Sequence, residues 1–322
     1  MKIFHDLADL AKMRQRVYLA IGVFDGVHLG HQAVMRAARE DAAGAKTETV
    51  SSEPPSIAVA MTFDPLPAKV LRPDTAPLLL TSTPHKLALI ATQGMEATLV
   101  QRFDSKFAVI PPSAFLTQLF SAMNERGELR EICVGHNFRF GHNRAGDAEF
   151  IVKMGGELGF AVKVIEPVKV AEEIISSTVV RRAIAAGDLQ KAAEMLGRAY
   201  SVWGTVMRGF GRGKKIGFPT ANVDVGEEML PPHGVYAVRA RLRGDDAILP
   251  GVANIGIRPT FEKETAARVL EIYLFGFAKK IYGEPIEVEF LQKLREEKKF
   301  ESAEALREQI KRDVVAAREL LG

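Results

Sequence analysis

Cysteine is nearly absent: Cys133 is the single one among 322 residues. One thiol cannot close an internal disulfide, so a reducing compartment, the cytoplasm, is expected. Long apolar runs are missing too. No stretch reaches the roughly 18 residues that a membrane-spanning helix needs. Asp6 stands where a signal peptide would carry its apolar core, so no membrane role is expected. Nor is there a marked excess of one charge. Lys and Arg number 43 against 40 Asp and Glu, a net charge of +3. Residues 1–186 hold 21 basic and 20 acidic residues, and residues 187–322 hold 22 and 20, so neither half is a basic tail or patch. A nucleic-acid-binding barrel would interleave clustered cations with exposed aromatics, but aromatics make up only 7% of this chain. No nucleic-acid partner is expected, while a homo-oligomer is left open.

What is present points to two globular domains, since 322 residues exceed one ordinary core. In the first half, short apolar strands alternate with helical stretches. The strands are Val17–Val23, Ile57–Thr62, Ala97–Gln101, Glu131–Gly135 and Ala161–Glu166. The helices are His31–Ala43, His85–Thr92, Ala114–Asn124 and Ala148–Leu158. That alternation predicts an α/β domain with a doubly wound parallel sheet over residues 1–186, its ligands at the carboxyl ends of the strands. Ala42–Ser56 reads as a surface loop.

From residue 187 the grammar changes. Helices Thr178–Ala186 and Leu189–Leu196 join the halves. Spaced strands follow at Ser201–Met207, Val235–Leu242, Ile248–Ile255, Val269–Phe275 and Ile286–Leu291, then a helix at Glu301–Leu320. A small antiparallel β-barrel with a C-terminal helix is expected over residues 187–322.

Two places carry chemistry. The first strand runs into Gly22-Val23-Phe24-Asp25-Gly26-Val27-His28-Leu29-Gly30-His31 and then a helix. Gly26 and Gly30 let backbone approach a ligand, and a helix N-terminus offers unpaired N–H groups to anions. His28 and His31, three apart, can face one phosphate chain. The second place is Gly209–Asn222, with three cations among its glycines; it lacks the Walker spacing, yet such a loop can wrap a triphosphate. On the residues alone, other readings stay open: histidines that only cap a helix, a solvated basic loop, and phenylalanines that are simply core.

The first segment resembles the His-x-Gly-His signature of the nucleotidyltransferase superfamily. Ser176-Ser177-Thr178-Val179-Val180-Arg181 is similar to its Ser-Ser-Thr-x-x-Arg helix start. Thr62-Phe63-Asp64-Pro65-Leu66-Pro67 and Val134–Gly141 narrow the resemblance to bacterial bifunctional riboflavin kinase/FMN adenylyltransferases, with Leu66 replacing the common His. Gly217-Phe218-Pro219-Thr220-Ala221-Asn222 resembles the flavokinase signature, and the likeness continues through Gly251–Gly256, Arg258–Phe261 and Leu270–Tyr273.

This resemblance implies phosphorylation of riboflavin to FMN and adenylylation of FMN to FAD, both from ATP with Mg²⁺. It implies His28, His31, Arg181 and Glu271 as catalytic residues, Glu271 being the base for the riboflavin hydroxyl. ATP phosphates would meet Gly22, Phe24, Asp25, Gly26, Gly30, Ser177 and Thr178 in one site, and Gly211, Arg212, Lys214 and Gly217 in the other. Flavin would meet Phe63, Asp64, Asn137, Phe138 and Arg139. Thr220 and Asn222 would hold the metal. Phe275-Gly276-Phe277-Ala278 lacks the acids usual there. A pantetheine-phosphate adenylyltransferase would use His28 and His31 but leave Phe218–Asn222 and Glu271 without a role.

Overall fold

The computed structural model describes residues 1–48, 54–208, 213, 216–245, 247–258 and 267–321. Contacts divide the chain into Met1–Leu79 with Thr83–Ser176, and Leu80–Ser82 with Ser177–Gly322. The helix Ser177–Ala185 packs on Leu189–Leu196 and groups with the second unit, so this division lies ahead of the 186/187 one expected from sequence.

The first unit contains β1 (Lys2–Phe4), α1 (Leu7–Leu10), β2 (Arg16–Ile21), α2 (Leu29–Glu48), β3 (Ser56–Asp64), α3 (Pro67–Leu71), α4 (Thr83–Thr92), β4 (Ala97–Arg102), α5 (Ser105–Ala108), α6 (Pro112–Met123), β5 (Glu128–Gly135), α7 (Ala148–Leu158) and β6 (Ala161–Ile165). A short hairpin of β7 (Lys169–Val170) and β8 (Glu173–Ile174) follows. The six longer-range strands pair in parallel in the order β1-β4-β3-β2-β5-β6, so the expected doubly wound sheet is present. β1 and the short helices α1, α3 and α5 carry too little periodicity to have been read from sequence. The expected loop Ala42–Ser56 is corrected at its start: α2 runs to Glu48 because Ala42, Ala43, Ala45 and Lys46 are good helix formers that outweigh Gly44. Residues 49–53 of that loop lie outside the described residues.

Strand alternation sorts the core. Val17, Leu19 and Ile21 of β2 face one side with Val59, Met61 and Leu99, packing on Phe115, Leu116 and Leu119 of α6 and Ile151 of α7. Tyr18 and Ala20 face the other side with Ala58 and Ala60, against Met35, Ala37 and Ala38 of α2. Small residues on both partners let α2 lie close to the sheet. The larger side chains across the sheet each contribute about 1.5–3 kcal/mol by burial. From β2 the chain moves outward one way through β3 and β4, and the other way through β5 and β6. The strand order therefore switches between β2 and β5, at whose carboxyl ends ligands bind in such sheets.

The second unit opens with α8 (Ser177–Ala185) and α9 (Leu189–Leu196), each expected. It continues with β9 (Tyr200–Met207), β10 (Ala221–Asp224), β11 (Gly234–Leu242), β12 (Leu249–Arg258), β13 (Ala267–Leu274), β14 (Pro285–Arg295) and α10 (Ala303–Leu321). The six strands close an antiparallel barrel in the order β10-β13-β12-β11-β14-β9. Its interior holds Val202, Val206, Val238, Ile255, Leu270, Ile272 and Val288. Phe290 meets Tyr236 edge-on at 5.6 Å, and the Tyr236 hydroxyl donates to the Pro232 carbonyl at 2.6 Å, which satisfies its buried polar end. α10 seats Ala317 against Val235, Ala237 and Val252. Buried Asp313 on that helix accepts a two-pronged hydrogen bond from Arg295, at 2.9 and 2.8 Å. Buried Glu228 accepts from the backbone N–H groups of Ser82 at 2.6 Å and Trp203 at 2.8 Å, which ties residues 80–82 into this unit.

Candidate active sites in the sheet and in the barrel

β2 ends at Ile21 and the chain turns through Gly22–His28 before α2 begins at Leu29. The turn is unusual in its backbone. Phe24 and Val27 have φ of 53° and 42°, and Gly26 has 83°. Non-glycine residues in this region cost about 1–3 kcal/mol each, and such cost is stored where a ligand site needs the shape. A Cβ at Gly22 would lie 2.5 Å from the Phe24 ring, so only glycine admits that ring's position. Asp25 and His28 are buried, at 2% and 6% exposure.

His28 does cap α2: its Nδ1 accepts the His31 backbone N–H at 3.2 Å. Accepting there leaves the proton of a neutral His28 on Nε2. The rings of His28 and His31 stack at 3.5 Å, and Phe24 meets His31 edge-on. His31 Nδ1 is fully buried with no hydrogen-bond partner, although the residue as a whole is only half-buried. Burial first, then the neighbouring His28 and Lys86, hold the His31 imidazole well below the usual histidine range, so it is neutral at neutral pH. Two imidazoles behind a helix N-terminus, that of His31 held neutral, make a donor surface suited to an anion.

Sequence reasoning missed Lys86. It is 4% exposed in the first turn of α4, and its Nζ donates to the carbonyls of Phe63 at 3.0 Å and Val23 at 3.3 Å. The Val23 carbonyl also accepts from the Thr62 hydroxyl at 2.8 Å. Burial brings the Lys86 ammonium down to about 8, against the opposing pull of Asp25 and Asp64. Nothing in the sequence around Thr83-Pro84-His85-Lys86 signals a buried cation.

The expected flavin contacts divide between core and surface. Phe63 is buried at the end of β3 and belongs to a chain of ring contacts through Phe107, Phe115 and Phe140 to Phe138. Phe138 is half-buried and stacks on Phe140 at 5.6 Å. Asn137, Arg139 and Asp64 are exposed. Asp64 accepts from the Thr83 hydroxyl at 2.7 Å, and Arg139 pairs with Asp147 at 3.5 Å. Phe103 and Phe107, which also touch Phe63, were not singled out in the sequence.

The Ser-Ser-Thr-x-x-Arg segment opens α8. The helix starts at Ser177, so Ser176 takes the preceding cap position. Thr178 is exposed, and Ser177 and Arg181 are half-buried. Contacts group all three with the second unit, whereas His28 and His31 belong to the first.

In the barrel, Gly211, Arg212 and Lys214 lie outside the described residues. Gly213 accepts from the Phe218 N–H at 2.9 Å, and Gly217 has φ of 86°, which favours glycine. Thr220 precedes β10 by one residue, so it is not on the strand with Asn222. Register then brings together what the sequence keeps apart. Asn222 on β10 and Asn254 on β12 both pair directly with Glu271 on β13. Directly opposed residues share a face. Since Leu270 and Ile272 fill the interior, the Asn222–Glu271–Asn254 row lies on the outer face. Tyr273 lies on that same face, and Phe218 meets its ring edge-on at 5.2 Å. Glu271 is half-buried rather than solvated, and Asn222 Oδ1 is buried without a hydrogen-bond donor. A lone neutral oxygen of this kind fits a Mg²⁺ ligand.

A switch-point turn bearing His-x-Gly-His and a barrel bearing a neutral-oxygen and carboxylate row define a two-site, phosphate-transferring enzyme. Residues 10–179 match the family model described as FAD synthetase, and residues 196–321 the one described as riboflavin kinase. The chain is 36% identical to the bifunctional riboflavin kinase/FMN adenylyltransferase of Escherichia coli (strain K12), covering 100% of this chain and 98% of that one. It is 35% identical to the protein of the same description from Bacillus subtilis (strain 168), covering 92% and 89%. A crystal structure of a macrolide-efflux protein from Streptococcus pneumoniae has a TM-score of 0.82 at 28% identity, covering 98% of each chain. The chain belongs to the bifunctional riboflavin kinase/FMN adenylyltransferase family, and it is both a kinase and a nucleotidyltransferase.

Proposed function

We propose that the sheet unit adenylylates FMN and the barrel unit phosphorylates riboflavin. The observation that carries this reading is that each unit holds a different reactive arrangement: stacked imidazoles at a switch point in the one, a carboxylate flanked by two amides in the other.

In the sheet unit a phosphate oxygen of FMN attacks the α-phosphorus of ATP. The bond from that phosphorus to the bridging oxygen breaks, and pyrophosphate leaves. Charge gathers on the bridging oxygen. His28 and His31 with the N–H groups at the start of α2 stabilise it, and a substrate oxygen gives the orphaned His31 nitrogen its partner. Gly22, Phe24, Asp25, Gly26 and Gly30 shape the turn that receives the phosphates. For Ser177, Thr178 and Arg181 the support is the resemblance of their segment alone, and the same holds for Asn137 and Arg139 as flavin contacts. Phe138 and its ring neighbours offer the isoalloxazine an apolar face.

In the barrel unit Glu271 takes the proton of the riboflavin 5′-hydroxyl as that oxygen attacks the γ-phosphorus of ATP and ADP departs. Asn222, with Thr220 beside the strand, would hold Mg²⁺, which when bound neutralises phosphate charge. Gly211, Arg212, Lys214 and Gly217 are proposed phosphate contacts on resemblance. We place the enzyme in the cytoplasm on its one buried thiol. Among the described residues no helix is long and apolar enough to cross a membrane. The test is to incubate the protein with Mg-ATP and either riboflavin or FMN, then separate the flavins. FMN with FAD from riboflavin, and FAD from FMN, are expected; FAD absent in both arms would overturn the adenylylation reading.

A further inference from the structure

The geometry points to Lys86 as a positioning residue for adenylyl transfer: its ammonium clamps the carboxyl ends of β2 and β3 and supplies the positive charge behind the phosphate-binding turn. This rests on the sheet unit being the adenylylation site.

Three observations meet at this side chain. Its Nζ spans the two strands that flank the turn, donating to Val23 just after β2 and to Phe63 within β3. The strand ends are thereby held by an element, α4, that belongs to neither strand. Its charge faces Asp25 in the turn, Asp64 at the end of β3, and the His31 imidazole of α2, which it helps keep unprotonated. Finally, it is 4% exposed, so its cost of desolvation is large and is offset by those two carbonyls and two acids. A methionine of similar length would fill the space without that cost. A retained buried cation at this place acts on the anion that the turn receives.

The protonation of Lys86 separates a structural clamp from an electrostatic one. Both the ammonium and the amine can donate to the two carbonyls, so the clamp survives deprotonation. Only the charge is lost, near pH 8. The fold does not weaken in that window through this group: between about 8 and the ordinary lysine value the unfolded chain binds the extra proton, so stability rises with pH. A loss of adenylyl transfer above pH 8 is then a loss of charge and not of fold.

The experiment measures kcat and KM for ATP in FAD formation from FMN, between pH 6.5 and 9.5, on the full chain. Wild type, Lys86→Arg and Lys86→Met are compared, with riboflavin phosphorylation in the same samples as a control for the barrel unit and circular dichroism with thermal melting as the control for folding of the sheet unit. Wild type should lose kcat/KM for ATP above a break near pH 8. Lys86→Arg should keep activity and lose the break, because a guanidinium stays charged throughout. Lys86→Met should lower FAD formation on the order of 10²-fold, with no break, while riboflavin phosphorylation holds. A Lys86→Met variant within about twofold of wild type and with the wild-type pH profile would overturn the proposal. Should that variant fail to fold, Lys86→Gln takes its place, since an amide can still donate to a strand-end carbonyl but carries no charge: wild-type kcat/KM with the wild-type pH profile in that variant would overturn the proposal. If wild type makes no FAD from FMN at any pH, the assignment of the sheet unit fails first and the role of Lys86 falls with it.

Discussion

The two sites are built by opposite means. On the proposed roles, the chemistry in the sheet unit sits on one segment of ten residues, Gly22–His31, with a strained backbone, buried Asp25, two stacked imidazoles and a cation from α4. In the barrel it sits on the face of a closed sheet, where strand register places Asn222, Glu271 and Asn254 in a row across positions far apart in the chain. A turn concentrates N–H groups and partial charge, which suits stabilisation of a leaving pyrophosphate. A strand face spaces side chains at fixed intervals, which suits a base and a metal ligand that must not touch each other. On the proposed roles electrostatic preorganisation would dominate the first, and proton transfer the second.

The sharpest way to break this comparison is to remove one group from each side. His31→Ala should lower FAD formation by about 10²–10³-fold and leave riboflavin phosphorylation close to normal. Glu271→Gln should do the reverse, lowering phosphorylation by about 10²-fold or more while added FMN still becomes FAD. Both are read by chromatography of the flavins after timed incubation. Equal loss of both activities in either folded variant would mean that the sites are not separate. Next in size is the anchor of α10. Asp313→Ala leaves Arg295 without its carboxylate, which costs about 3–5 kcal/mol when a pair this buried is broken. Thermal melting should show the loss, and the kinase should inactivate at lower temperature than the adenylyltransferase. Loss of both activities together would deny the units separate stability.

The same contrast explains what the sequence revealed. The turn was legible because its residues are contiguous and follow an apolar strand, and the sheet because its strands are buried on both faces and read as short apolar runs. Glu271 was legible only through resemblance. Its partnership with Asn254 depends on β12 and β13 pairing in one register, which no local pattern encodes. β10 went unread because four residues, two of them polar, give too short an alternation. Lys86 was invisible for a different reason. A buried lysine and a surface lysine look alike in a helix, and only the carbonyls it meets distinguish them. Phe103 and Phe107 belong to the same case, since a ring in a core and a ring in a ligand wall share one hydrophobic signal.

A smaller effect concerns the metal. If Asn222 is a ligand, Asn222→Ala should raise the Mg²⁺ concentration needed for half-maximal phosphorylation and leave that for adenylylation unchanged. The orphaned Oδ1 is the reason to expect this, because removing an atom that accepts no hydrogen bond in the protein should cost little stability. A fall in melting temperature with an unchanged Mg²⁺ requirement would reassign Asn222 to the fold.

The smallest effect expected is on acid stability, and its sign follows from His31. In the fold its imidazole is held below the ordinary histidine range, chiefly by burial and secondarily by His28 and Lys86. In the unfolded chain it takes up a proton near the usual value of about 6.5. As pH falls through that value the unfolded state binds a proton that the folded state refuses, so stability drops with falling pH. The contribution is present in full above the unfolded value and is lost progressively below it. His31→Gln keeps a polar side chain at the site and removes the titration. Its melting temperature should therefore fall less than that of wild type between pH 7.5 and pH 5. The two curves need only be compared for slope, because the substitution can shift both by a constant. Parallel curves would mean that folding leaves His31 unshifted, and a wild-type curve that falls less steeply than the variant's would mean that His31 is already protonated in the fold. The sheet site would then hold a cation at His31 as well as at Lys86, and its turn would have to be rebuilt around two charges instead of one.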